Sequence, residues 1–173
     1  MMLRTIHRCE EHVQNIASID LITSGNAFYW MDCARTILNI AAWLRENGVL
    51  AVYRYGFPKT PKDIGGVIDK ELKLHWDSFR HKRLLNVDYS KDCIVNSNNF
   101  KDIQLLMIPN VILLSAEKLV GFFMSTSYVS AYLRTLVEPR VYLHELEYSI
   151  NELTSTSIFP VDFHIELILA LKH

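Results

Sequence analysis

The chain has 173 residues, half of them apolar, with 18 Lys+Arg against 19 Asp+Glu. That is room for one domain of ordinary globular composition, which excludes wholesale disorder. A net charge of −1 offers no field to draw nucleic acid or anionic lipid, and no apolar run reaches the ~20 residues of a membrane span.

Residues 1–14 carry Arg4, Arg8, Glu10 and Glu11 without an apolar core, so they do not read as a secretory signal. The three cysteines, Cys9, Cys33 and Cys93, are odd in number and widely spaced. This predicts unpaired thiols in a reducing cytoplasm, and no CxxC zinc site. The histidines show no metal-ligand spacing. The first glycine is Gly25, and no GxGxxG or GxxxxGK[ST] follows it.

Asp20–Ser24 (DLITS) is a short apolar run that predicts a buried strand, ended by Gly25 and followed by the aromatic cluster NAFYW at 26–30. Asp32 is placed as N-cap of a helix to about Asn47, with Ala34, Ile37, Leu38, Ala41 and Leu44 as its sheet-facing stripe and Gly48 as its C′ glycine. Val49–Tyr55 (VLAVYRY) predicts a second strand. Strand, helix and strand with short connections make one parallel βαβ unit.

Residues 58–99 differ in composition. Mixed charges interleave with Val67, Leu72, Trp76 and Phe79, which predicts an amphipathic helix over about 64–84, broken near Gly65-Gly66, with a solvated charged face. Asparagine-rich 88–99 reads as loop. Phe100–Ile108 predicts a strand. Ser115 is placed to cap a helix over 116–125, with 129–136 helical or irregular after it. Pro139 reads as a breaker before a helix over 140–153.

The carboxyl end alternates with period two. Val161, Phe163, Ile165, Leu167, Leu169 and Leu171 share one face; Asp162, His164, Glu166, Ile168 and Ala170 share the other. This predicts one antiparallel strand near a sheet edge.

DLITSGNAFYW, a helix, then LRENGVLAVYRYG resembles the middle of the class I S-adenosylmethionine-dependent methyltransferases, closest to their trans-aconitate methyltransferase-like small-molecule subgroup. PNVILLSAEKLVGFFMSTSYVSAYLRT and FPVDFHIELILALKH resemble that family's segments before its last helix and at its final strand. The sequence departs at Tyr29, Asn26, Glu46 and Asn47, where the family pattern has His, Gln, Pro and Gly. The resemblance implies a partial Rossmann-like α/β sheet of strands four to seven, the last antiparallel, over 1–57 and 100–173, with a helical cap inserted at 58–99.

It also implies a small-molecule methyl acceptor and S-adenosylmethionine as cofactor. Gly25, Asn26 and Phe28 fall at cofactor-binding positions, and Trp30, Tyr53, Tyr55 and Tyr128 at substrate-binding positions. Ser127 lies in the same acceptor segment as Tyr128, and Arg54 is a candidate for pairing a substrate carboxylate. No metal is implied. The family's glycine-rich cofactor loop and ribose-binding acid would occupy about 90 residues ahead of Asp20, so the expectation is a truncated piece, inactive alone. Two readings stay open: a methyltransferase or part of one, and a non-catalytic remnant that binds a partner. The strand at Asp20–Ser24 would then be an open edge, inviting self-association or a complementing subunit. No other catalytic set competes: there is no GxSxG elbow, and His144-Glu145 and His164-x-Glu166 pair a base with a carboxylate on a predicted helix and a strand whose partners the sequence does not give.

Overall fold

β-Branched and aromatic residues place the chain in β1 (Ile19–Gly25) and β2 (Leu44–Tyr55), with helix α1 (Cys33–Trp43) between them. The structure, a computed structural model, describes residues 17–82 and 89–173. Readings that fall on residues 1–16, Cys9 included, and the helix end expected at Leu84 lie outside the described residues.

β1 and β2 pair in parallel, with Leu21 opposite Val49 and Gly25 opposite Tyr53. The register jumps between Ile19 and Leu21, where Ile19 faces Leu44. Asp32 caps α1 as its residue type predicts: its carboxylate accepts from the Arg35 amide at 3.1 Å. The helix ends earlier than the sequence suggests, because Leu44 is extended and already buried in the sheet core. Asn47, not Gly48, takes the left-handed conformation, at φ 58°. Gly48 serves a close approach instead: a β-carbon there would fall 2.9 Å from the Ile19 carbonyl oxygen. The buried stripe is Ile37, Ile40 and Ala41; Leu38 is exposed.

The chain divides into two compact units. The described parts of residues 1–54 and 87–107, with 166–173, form the sheet unit, and those of 55–86, with 108–165, form the helical unit. The division differs from an insertion confined to 58–99. Part of that stretch, helix α3 (Tyr89–Asn96), belongs to the sheet unit.

In the sheet, among the described residues, the order is β1-β2-β6-β3, with β3 at Phe100–Ile108 and β6 at Ile165–Lys172. The last strand is thus inserted between the second and third. It runs against β2: Lys172 Nζ, at its end, donates to the Leu44 carbonyl at 2.6 Å, and Glu166, at its start, pairs with Arg54. It also runs against β3, since the His173 amide donates to the Asn99 carbonyl. The carboxyl ends of β1, β2 and β3 therefore share one border. Phe28, Ile37, Ile40, Leu44, Leu50, Ile94 and Phe100 form this unit's core. Each fully buried aliphatic among them stabilises by about 1.5–3 kcal/mol.

Two further expectations change in the sheet unit. Residues 89–96 form a helix, not a loop; Ile94 is fully buried and anchors it. Cys33 and Cys93 form a disulfide, with Cα atoms 6.0 Å apart, inside the span a bridge allows. They are not free thiols. The argument for a reducing cytoplasm rested on unpaired cysteines and falls with them.

The helical unit packs α2 (Lys62–Glu71), α4 (Ala116–Ser125), α5 (Ser127–Leu133) and α6 (Pro139–Asn151) around Ile64, Ile68, Trp76, Leu119, Phe123 and Ile150. Gly65-Gly66 does not break α2, because Ile64 and Ile68, one turn apart, are both buried. The helix passes into a π turn over Leu72–Trp76. Ser115 caps α4, accepting from the Lys118 amide. Pro139 opens α6 at its first position, where the missing amide costs nothing.

The terminal alternation belongs to two strands. β5 (Phe159–Asp162) pairs antiparallel with β4 (Val111–Leu114), and β6 follows separately. The break falls at Phe163 and His164, both buried, where strict alternation fails. The Phe163 amide donates to the Asn110 carbonyl and the Asp162 carboxylate accepts from the Asn110 amide, each at 2.9 Å. None of the described helices is long and apolar enough to cross a membrane.

Candidate ligand-binding site

A cavity of about 300 Å³ opens at the carboxyl border of the sheet, inside the sheet unit. Open α/β sheets bind ligands along that border. Each element reaches it for a local reason. The turn after β1, residues 28–30, brings Phe28 and Tyr29. β2 ends there with Val52, Tyr53 and Arg54. The first turn of α3 supplies Ser90 and Lys91, the end of β3 supplies Leu105, Leu106 and Met107, and the start of β6 supplies Glu166, Leu167 and Ile168.

Within this lining, Arg54 Nε donates to Glu166 Oε2 at 2.6 Å, with the two side chains 21% and 29% exposed. A charge-assisted bond this sheltered fixes both side chains. Tyr53 is 39% exposed and turns its ring over Gly25, where a β-carbon would fall 2.5 Å from its Cζ. Asn26 is left-handed at φ 49°, and its amide donates to the Tyr53 carbonyl at 2.9 Å. This folds the chain sharply into the aromatic turn. Trp30 is exposed, with its ring centroid 5.3 Å from that of Tyr29.

The structure thus gathers Gly25, Asn26, Phe28, Trp30 and Tyr53 in the sheet unit. Phe28 and Tyr53 line the cavity; Phe28 is 1% exposed and belongs first to the core. Tyr55 and Tyr128 belong to the helical unit. Tyr128 sits beside Trp76 with the Arg80 guanidinium 5.8 Å over its ring, and burial raises its phenol above the usual value. Glu166 pairs with Arg54, a residue 112 positions away, a partnership that no sequence spacing marks. The sequence reading also missed Ser90, Lys91 and the Leu105–Met107 wall. The first two lay in an apparent loop, and the wall read only as strand.

His144 lines a more open groove in the helical unit with Glu117, Arg140 and Glu147. Among the described residues no group of three or more His, Cys, Asp or Glu is placed to hold a metal ion.

The cavity residues do not amount to a full S-adenosylmethionine site. Gly25 makes room for Tyr53, and Glu166, the carboxylate of the lining among the described residues, is committed to Arg54. What the cavity does provide is an aromatic and aliphatic wall with Arg54, Glu166 and Lys91 in its lining.

No protein-family model matches the chain, and no curated protein matches it by sequence. Solved structures do match. One, of a protein assigned as a type II methyltransferase from Anaeromyxobacter dehalogenans, superposes with a TM-score of 0.72 over 90% of this chain and 66% of its own, at 18% identity. The chain shares the class I methyltransferase fold. The YcgJ protein of Bacillus subtilis gives a TM-score of 0.46 over 95% of this chain and 68% of its own, at 14% identity. Haemonchus contortus phosphoethanolamine N-methyltransferase 2, solved with phosphomonomethylethanolamine and S-adenosylhomocysteine, gives 0.39 over 91% and 34%, at 11% identity. The chain spans about two thirds of the Anaeromyxobacter protein and a third of the Haemonchus one. Likeness at such identity carries the fold and not the reaction.

Proposed function

We propose that this chain forms the acceptor-binding side of a methyltransferase that uses S-adenosylmethionine and acts on a small molecule. The observation that carries the reading is the cavity at the carboxyl border of a sheet that shares the fold of a methyltransferase structure. Methyl transfer to an already nucleophilic acceptor asks little acid–base chemistry of a protein. It asks for alignment and exclusion of water. Phe28, Tyr29, Tyr53 and Met107 supply a wall for that purpose, and Glu166 holds Arg54 in place.

The cofactor's remaining contacts would come from residues set against β1. That strand ends the sheet among the described residues, and Leu21 on it is 51% exposed. A parallel strand laid there would extend the sheet, whether it belongs to a longer chain or to a complementing subunit. The chain alone is then a weak cofactor binder and inactive.

Saturation-transfer and chemical-shift mapping by NMR with S-adenosylmethionine tests this. The expected result is weak binding, in the sub-millimolar range, that moves the Met107 methyl and the Tyr53 ring. Shifts confined to the helical unit would overturn the reading. Micromolar binding would overturn the half-site part of it. The same outer strand favours a second reading, a partner-binding protein without chemistry, for which the cofactor would leave every cavity resonance unmoved.

A further inference from the structure

We infer that the cavity of the sheet unit selects a small anion: a ligand with an apolar body whose carboxylate or phosphate group is taken by Arg54 and Lys91. This deepens the function proposed above by naming the acceptor's class. Its test reads binding and not transfer.

The argument starts with how Arg54 is used. A guanidinium has five N–H donors in a planar fork. Glu166 engages the Nε edge at 2.6 Å, and among the described residues no other group takes the remaining donors. Glu166 therefore orients the fork without consuming it. The far, bidentate edge stays available, and that edge matches a carboxylate or phosphate in geometry. Arg54 is mostly sheltered, so its rotamer is fixed before a ligand arrives and little ordering remains for binding to bear.

Lys91 is the second cation of the lining, half-buried at the first turn of α3. Among the described residues it has no acidic partner. Among the described residues, the charged groups of the lining are Arg54, Lys91 and Glu166, which together carry one net positive charge. Set against apolar walls at Leu105, Met107 and Ile168, that charge is screened less than it would be on the surface. An anion gains there, and an ammonium ligand would face two cations against one carboxylate already occupied. The volume of about 300 Å³ lies at the small end of ligand cavities and suits a small ligand body.

The test uses matched probes that share one body: phenylacetate, phenyl phosphate, methyl phenylacetate and phenethylamine. Each is titrated into the full chain by NMR. The two anions should bind at least tenfold tighter than the neutral ester, and the tighter of the two names the head group. Lys91→Gln should weaken anion binding several-fold and leave the ester unchanged. Arg54→Gln alone would strand Glu166, so the double variant R54Q/E166Q, neutral at both positions, is the second arm; it should erase the preference for anions. Equal binding of ester and anions, tighter binding of the amine, or an anion preference that survives in R54Q/E166Q would each overturn the proposal. Anion binding in a chain whose cavity resonances S-adenosylmethionine leaves unmoved would leave it standing and sink the function proposed above.

Discussion

Tyr53 and Gly25 face each other across β2 and β1, and the tyrosine ring occupies the space a side chain at position 25 would need. The glycine is not there for a left-handed turn, since its φ is negative. It is there so that an aromatic ring can lie flat at the carboxyl border and form part of the cavity wall. Gly25→Ala should therefore push the ring away and cost about 1–3 kcal/mol, the usual cost of overpacking. Tyr53→Ala in the same chain should recover most of that loss, because the two substitutions act on one contact. Urea denaturation of the two single variants and the double variant measures the coupling. Additive losses would show that the ring and the glycine are independent.

The disulfide between Cys33 and Cys93 joins the start of α1 to the middle of α3, 60 residues apart. The same α3 puts Ser90 and Lys91 into the cavity. A cross-link over a loop of this length stabilises by about 2–4 kcal/mol, mainly by restricting the unfolded chain. Reduction with dithiothreitol, or Cys93→Ser, should lower stability by that amount. It should also speed hydrogen exchange of the amides of 89–96 more than those of β2. Exchange that quickens evenly over the unit would show that α3 does not depend on the bridge.

What could be read from sequence was local. Asp32 and Ser115 were legible as caps because each bonds an amide three residues on. The parallel β1–α1–β2 unit was legible because its signals lie within one continuous stretch. The disulfide and the Arg54–Glu166 pair join residues 60 and 112 positions apart, and no periodicity marks such partners. α3 was hidden by its composition, since Asp, Ser and Asn signal loop; the burial of Ile94 outweighs them. The final alternation was real but ran across two strands, because Phe163 and His164 bury in succession and no period of two can show that. Of the cavity, the aromatic residues Phe28, Tyr29 and Tyr53 were visible. Arg54 was visible too, but Lys91 was not, because it lay in the unrecognised helix.

Tyr142 links the core of the helical unit to a carboxylate. Its hydroxyl accepts from Trp76 Nε1 at 2.9 Å and donates to Glu71 Oε2 at 2.5 Å. Burial, then the bond to Glu71, pushes its ionisation far above the ordinary phenol value. Burial raises Tyr132 as well. The folded chain thus keeps a proton that the unfolded chain loses near pH 10. The stabilisation is fully present below that pH and falls as pH rises above it. Tyr142→Phe should make that alkaline decline shallower. At neutral pH the same variant should cost about 1–3 kcal/mol, since it leaves the buried Trp76 donor without an acceptor. Thermal melts from pH 7 to 11 would measure both. An unchanged alkaline slope would show that Tyr142 ionises as readily folded as unfolded.

β1 is the outer strand of the sheet among the described residues, and its exposed face carries Leu21 and Thr23. An outer strand with apolar side chains and no charge between Leu21 and Gly25 presents unpaired amides and carbonyls to any strand that approaches. The chain as it stands should self-associate, with elution volume falling as concentration rises in size-exclusion chromatography. A lysine on such a strand blocks pairing, because the incoming strand would have to desolvate its ammonium group. Leu21→Lys should therefore restore a concentration-independent monomer without loss of stability beyond about 0.5 kcal/mol, as for other surface positions. A wild-type chain that elutes as a monomer at every concentration would mean that the edge is covered, and the complementing-strand part of the proposed function would fall with it. A Leu21→Lys variant that still associates would move the contact elsewhere, with the exposed Val111–Leu113 stretch of β4 in the helical unit next to be tested.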